Sequence, residues 1–251
     1  IVGLHVDDAL IAADRETIDA LRRALEEVYE YGSWEENAFR YTGRSFSRDG
    51  SDVIISMDDY AQQIAYIEVE AGRQLSDALN EYEISIYRGK VGQLSWLARM
   101  LRPDLSFHTS LAQQTLPTAT VEDLLNLNKV IRKARTASRT LRFKQLDPSC
   151  LMVLALSDAS HANMSGKGSQ AGRILALTEE GVKFRRTPTN ILSWSSHRLR
   201  RVVRSTIAAE VMGVATSVEH AEFGRCCLME ILQENFNIRC WQNFHQVLIA
   251  W

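Results

Sequence analysis

From Leu151 onward the chain repeats one pattern three times and then abandons it. Leu151–Ser157, Gln170–Leu177 and Asn190–Ser195 are apolar-rich runs of strand length with turns between them. A long helix follows, capped by Ser205, with Ile207, Val211, Val214, Val218 and Ala221 along one face. Strand, strand, strand, helix calls for a mixed sheet with a helix laid on it. Gln246–Ala250 is a candidate last strand.

The first half reads differently. Ile1, Val2, Leu4 and Val6 precede Asp7-Asp8, and Leu10-Ile11 follow, so residues 1–12 read as a β-hairpin turning on the two acids. Asp14 is a candidate cap for a helix in which Ile18, Leu21, Leu25 and Val28 recur at spacings of three and four. Phe39–Phe46 and Val53–Ser56 are strand candidates separated by the Asp49-Gly50 turn. Residues 58–145 read as helices: Tyr60–Glu68, Tyr87–Met100, Asp104 to about Thr115, and Val121–Leu141. The second stops before Arg102-Pro103, because proline cannot continue a helix. The periodicity changes again near Leu146–Cys150, at the Asp147-Pro148-Ser149 turn. The expectation is an α/β (α+β) chain in two parts.

Net charge is −2, but it is unevenly spread. Residues 1–128 hold 11 Lys and Arg against 22 Asp and Glu, and residues 129–251 hold 18 against 9. A basic second half suits a polyanionic partner; two oppositely charged surfaces docked together would look the same. No apolar run approaches the roughly 20 residues that span a bilayer, and no signal peptide opens the chain. Cys150, Cys226, Cys227 and Cys240 form no C-x-x-C pair, so reduced thiols in an intracellular protein are expected. The chain begins on an apolar stretch rather than Met, as if inside a domain.

Adjacent carboxylates such as Asp7 and Asp8 repel unless a cation neutralises them. Polymerases use such a pair to hold Mg²⁺; a solvated turn is the commoner use.

At this point the sequence resembles a known family. IVGLHVDDALIAAD is similar to the hairpin of reverse transcriptases, which reads Tyr-x-Asp-Asp, and Tyr-Val-Asp-Asp in copia-type retrotransposons; His5 stands where the family has Tyr. RYTGRSF resembles the short strand after that hairpin, and YRGKVGQLSWLARMLRPDLSFHTSLAQQ the copia-type connection segment. LALSDASHAN resembles the first ribonuclease H strand, and ILSWSSHRLRRVVRSTIAAE the stretch from its third strand to its first helix. The five matches are collinear and cover most of residues 1–212.

The resemblance implies a palm remnant at 1–57, a thumb/connection at 58–147 and a truncated ribonuclease H-like domain at 148–251, all parts of a polyprotein. The family makes DNA on an RNA template and then removes RNA from the hybrid. By the same resemblance Asp7 and Asp8 are polymerase metal ligands, and Asp158 and Glu210 are nuclease ligands. The cofactor would be Mg²⁺, or Mn²⁺ in its place, in a two-metal mechanism with ions about 4 Å apart. The partners would be RNA–DNA hybrid or template-primer and the remaining polyprotein domains, with no membrane.

The departures are as informative. The family needs a further Asp on the fourth strand, yet no Asp follows Asp158, and the chain reaches Trp251 just before that residue is due. The polymerase also needs an earlier palm Asp that this chain does not carry. Each site is thus expected to hold only part of its ligands, and Mg²⁺ weakly. Two basic groups are candidate phosphate contacts. Lys129, Arg132 and Lys133 head a run that continues through Arg135, Arg139, Arg142 and Lys144 on the last connection helix. Arg198, Arg200, Arg201 and Arg204 precede the Glu210 helix. His161, His197 and His220 lack metal-ligand spacing.

Overall fold

The computed structural model describes residues 1–30, 32–164, 168–233, 237, 239 and 248–250. Cys240, Trp251 and the first two residues of the Gln246–Ala250 strand candidate lie outside them.

The opening hairpin forms from β1 (Val2–His5) and β2 (Asp8–Ile11), with His5 paired to Asp8. The two-residue loop is therefore Val6-Asp7, one step earlier than the Asp-Asp turn read from sequence. Helix α1 (Arg15–Glu26) starts where expected, because the Asp14 carboxylate accepts from the Thr17 N–H at 2.8 Å.

The run Phe39–Phe46 is two strands rather than one. Thr42 and Gly43 both take positive φ, 51° and 76°, which folds the chain back as a tight hairpin. The result is an antiparallel sheet of β3 (Ala38–Tyr41), β4 (Arg44–Asp49), β5 (Asp52–Ser56) and β6 (Leu141–Phe143). Strand β6 corrects the reading of one helix to Leu141: α5 (Val121–Thr136) ends five residues sooner. Arg142 then points at the β4–β5 hairpin and pairs with Asp49 at 2.8 Å and Asp52 at 2.9 Å, so it serves the sheet.

Helix α2 is short (Asp58–Gln63). Helix α3 (Glu81–Met100) starts six residues before its apolar periodicity does, because Asn80 and Glu83 close a capping box. Helix α4 (Ser106–Thr115) follows a 3₁₀ turn at Pro103–Leu105. Leu94, Leu97, Leu105, Leu124, Leu127 and Ile131 are the centre of the core that joins these helices to β5.

The second sheet contains β7 (Leu151–Met164), β8 (Gly168–Glu179), β9 (Thr189–Arg198) and β10 (Leu248–Ala250). Its order is β10-β7-β8-β9; the last three strands are antiparallel neighbours, and β10 runs parallel to β7. Helix α6 (Thr206–Leu232) lies on one face, capped by Ser205, whose hydroxyl accepts from the Ala208 N–H at 3.1 Å. The opposite face meets α3 and α4. There Gln170 donates to Ser110 of α4 at 3.0 Å and accepts from Gln114 at 3.1 Å, and the Trp194 indole donates to the Ala98 carbonyl at 2.7 Å. The architecture is thus α/β, with two multi-stranded sheets and several helices. No described helix is long and apolar enough to cross a membrane.

Candidate nucleic-acid and metal site

Of the stripe read from sequence, only Ala221 is among the buried residues of α6 that touch the sheet. Ile207, Val211 and Val214 are exposed, and Ala209, Gly213, Ser217, Ala221, Arg225 and Met229 face inward at every fourth position. The helix is apolar around much of its circumference, so periodicity does not choose its face. Size does, because small side chains let the helix backbone come close to the strands. A Cβ placed on Gly213 would lie 3.5 Å from the Ala159 Cβ and 4.0 Å from the Asp158 carbonyl oxygen.

This approach sets the turn that carries Glu210 against the backbone of Asp158 and Ala159. Glu210 is half-buried and Asp158 exposed. Among the described residues neither carboxylate has a hydrogen bond or ion pair. The pleat sends Val153, Ala155, Ser157 and Ala159 toward α6, with Ala159 and Ala209 in one cluster. It sends Asp158 the other way, onto the face it shares with Leu156 and Ser160. The two backbones adjoin, yet Asp158 leaves β7 on the face away from α6, the helix that carries Glu210. No three His, Cys, Asp or Glu among the described residues form a group that could hold a metal ion. A pair of carboxylates with no third donor is a poor fit to a tightly held Mg²⁺ or Mn²⁺.

Asp7 and Asp8 occupy the exposed tip of the β1–β2 hairpin. Val6, 94% exposed, has φ 56°, a conformation that costs a β-branched residue energy. Behind the tip, the His5 ring meets Tyr41 edge-on at 6.3 Å, and a Cβ on Gly3 would lie 3.5 Å from the Tyr41 hydroxyl. The hairpin thus leans on β3.

The basic groups divide. Arg200, Arg201 and Arg204 are exposed on the loop between β9 and α6, beside the apolar side chains of Val202 and Ile207. Arg198 is exposed at the end of β9, its guanidinium lying against Gly168. On α5, Lys129 bonds Asn126 at 2.9 Å, and Arg132 is exposed beside a shallow groove with Tyr66, Leu75 and Leu125. Lys133 bonds the Asp104 carbonyl at 3.1 Å and lies 3.6 Å from its carboxylate, so part of its charge is spent inside the fold. Arg135 stacks on Tyr66 at 4.9 Å.

Sequence reasoning assigned no role to Arg102. Its guanidinium is 1% exposed, holds both Asp104 oxygens at 2.8 and 2.9 Å, and reaches the Ala134 carbonyl at the end of α5 at 3.1 Å. The signal was the Arg-Pro-Asp spacing: the proline turn folds the two charges onto each other.

Known proteins offer limited company. No family model matches the chain, and no solved structure matches it. It is 24% identical over 235 residues to a transposon Ty5-1 protein of Saccharomyces cerevisiae, a match covering 87% of this chain and 73% of that protein. The similarity is distant and carries a retrotransposon relationship, without an assigned activity.

Proposed function

We propose that the chain is a piece of a retrotransposon polyprotein, the tail of a reverse transcriptase joined to a ribonuclease H-like module, that holds RNA–DNA hybrid or template-primer and does not cut it. One observation carries the reading: three antiparallel strands lead into α6, and β10 returns parallel to β7, while α6 sets Glu210 beside the Asp158 backbone. A ribonuclease H-like module at 148–251 calls for this placement of an acid on the first strand and another on the first helix. The distant similarity to a yeast transposon protein supports the same origin. Residues 1–57 and 58–147 are then the palm remnant and the thumb/connection, with Asp7 and Asp8 as its polymerase acids.

Non-cutting rests on the ligand set. Two-metal hydrolysis needs carboxylates that fix both ions. Asp158 leaves β7 on the face away from α6, which carries Glu210, and no three metal-ligating side chains form a group among the described residues. Any Mg²⁺ there is held weakly, so no catalytic step is assigned to it. The cations of the β9–α6 loop need no metal to meet phosphates. Arg198, Arg200, Arg201 and Arg204 are the contacts in this reading, with Lys129 and Arg132 a second patch and Lys133 a weaker member of it.

The test is fluorescence anisotropy on a labelled RNA–DNA hybrid across a salt series, beside a cleavage assay in Mg²⁺ and in Mn²⁺. The expected result is affinity that falls steeply with salt and no cleavage. Cleavage that Glu210→Ala abolishes would overturn the non-cutting part. Affinity that ignores salt, or is absent, would overturn the binding part.

A further inference from the structure

The face of the second sheet that α6 covers is apolar along β7 and β8 except for one row, and polar along β9. Ala155, Leu175 and their neighbours pack against α6 on one side of it, and Ala159 and Ala171 on the other. Between them the register aligns Ser157 with Arg173, and Arg173 with Ser195, across β7, β8 and β9. Directly opposed residues share a face, so these side chains all lie on the α6 side. One step along β9 from Ser195, His197 is on the same face, paired with Ala171. On α6, His220 is half-buried and close enough to feel the Arg173 charge.

Arg173 is the unusual member. It is half-buried, and among the described residues its guanidinium has no hydrogen bond, ion pair or aromatic partner. The Ser195 hydroxyl oxygen beside it is buried and also unbonded. On α6 the 3%-exposed Ser217 has an unbonded hydroxyl as well. A partly desolvated cation without an anion is costly, and so are buried hydroxyls without partners. Burial and then the Arg173 charge hold both His197 and His220 below their ordinary pKa range. Arg200 adds to the positive field at His197, and Glu219 opposes it only at His220.

We propose that Arg173, His197 and His220, with the Ser195 hydroxyl, form a phosphoryl-binding shelf between α6 and β9. Arg173 supplies a planar fork of donors to two phosphate oxygens, and the imidazoles supply N–H groups to the others. All three side chains are partly exposed, so a phosphate reaches them without unfolding. The shelf is distinct from the carboxylate pair and from the β9–α6 loop, and it does not depend on the ribonuclease H reading. Either a free phosphate group or a backbone phosphate of a nucleic acid satisfies its chemistry.

The sign of its pH dependence follows. A bound phosphate anion stabilises both imidazolium forms and raises both pKa values. Affinity must therefore rise as pH falls through the imidazole range.

The experiment is a histidine-selective NMR titration of the whole chain with inorganic phosphate, repeated with a short RNA–DNA hybrid at matched ionic strength. Phosphate is expected to raise both imidazole pKa values saturably. Arg173→Gln should weaken binding roughly tenfold or more, while Arg173→Lys keeps part of it. Competition between hybrid and phosphate would identify the ligand as a backbone phosphate; its absence would identify a small phosphorylated molecule. The proposal is overturned if neither probe moves His197 and His220, or if Arg173→Gln, with an unchanged amide spectrum, binds like the parent chain. Should Arg173→Gln fail to fold, the titration of the parent chain and Arg173→Lys decide it.

Discussion

Replacing Arg102 with alanine should cost about 3 kcal/mol of stability, the low end of the range for breaking a buried pair. The guanidinium is 1% exposed, and its partner Asp104 is 31% exposed at the side chain. The substitution leaves a carboxylate that water reaches only in part, which places the cost at that low end. It also removes the donor that satisfies the Ala134 carbonyl at the end of α5. In a chain of this size about 3 kcal/mol corresponds to roughly 6–12 °C in Tm, provided unfolding is cooperative. The assay is urea unfolding followed by circular dichroism at neutral pH, with Arg102→Lys alongside. Lysine keeps the charge but cannot bridge both Asp104 oxygens and the helix end, so an intermediate loss is expected. The pH series supplies a second check. The Arg102 hydrogen bonds hold the Asp104 pKa below its ordinary value. That contribution is fully present above the unfolded carboxylate pKa, near 3.9, and disappears as pH falls through the lower folded value. Arg102→Ala should therefore differ from the parent at pH 7 and approach it in strong acid. A loss under about 1 kcal/mol at pH 7 would refute the reasoning, and so would a gap that stays constant into acid.

Three further outcomes follow from local geometry. Gly213→Ala should stabilise the chain by roughly 0.5–1 kcal/mol, because the new methyl meets only ordinary contacts at 3.5–4.0 Å while the helix loses a flexible residue; a lower denaturation midpoint would show that α6 lies closer to β7 than described. Val6→Gly should relieve the left-handed strain at the hairpin tip by about 1 kcal/mol, seen as slower hydrogen exchange at the paired amides of β1 and β2; unchanged or faster exchange would mean that the strain is not there. Ile207→Ser with Val211→Ser should leave stability nearly unchanged, since both side chains are exposed, 76% and 60%; a loss above about 1 kcal/mol would restore the stripe read from sequence as the buried face.

Much of this architecture is legible in the sequence because caps and turns are local. Asp14, Ser205 and Pro103 each mark a boundary that the structure keeps. The three strands after Cys150 also appear, although β7 runs seven residues beyond Ser157. What escaped depends on partners distant in the chain. Nothing local ends a helix at Thr136, but Leu141–Phe143 can pair with β5 and Arg142 can reach Asp49 and Asp52. Thr42-Gly43 hides a turn because threonine seldom takes positive φ. The face of α6 escaped for the opposite reason: too many positions are apolar, and the small residues that decide the packing carry little hydrophobic signal. Within the site, the order of Asp158 and Glu210 is visible in sequence, but the face on which Asp158 leaves β7 needs the register. Arg173 is only one more charge until the register aligns it with Ser157 and Ser195.

The most direct measurement is a single assay of hybrid binding and turnover on the whole chain, with 5′-labelled RNA annealed to DNA in about 10 mM Mg²⁺, roughly tenfold above the Kd of the weakest protein cation sites. Retention of the hybrid that weakens with salt, leaving the RNA intact, is the predicted result. Mg²⁺-dependent shortening of the RNA, lost in Glu210→Ala, would contradict it and show that Asp158 and Glu210 assemble a working metal site after all.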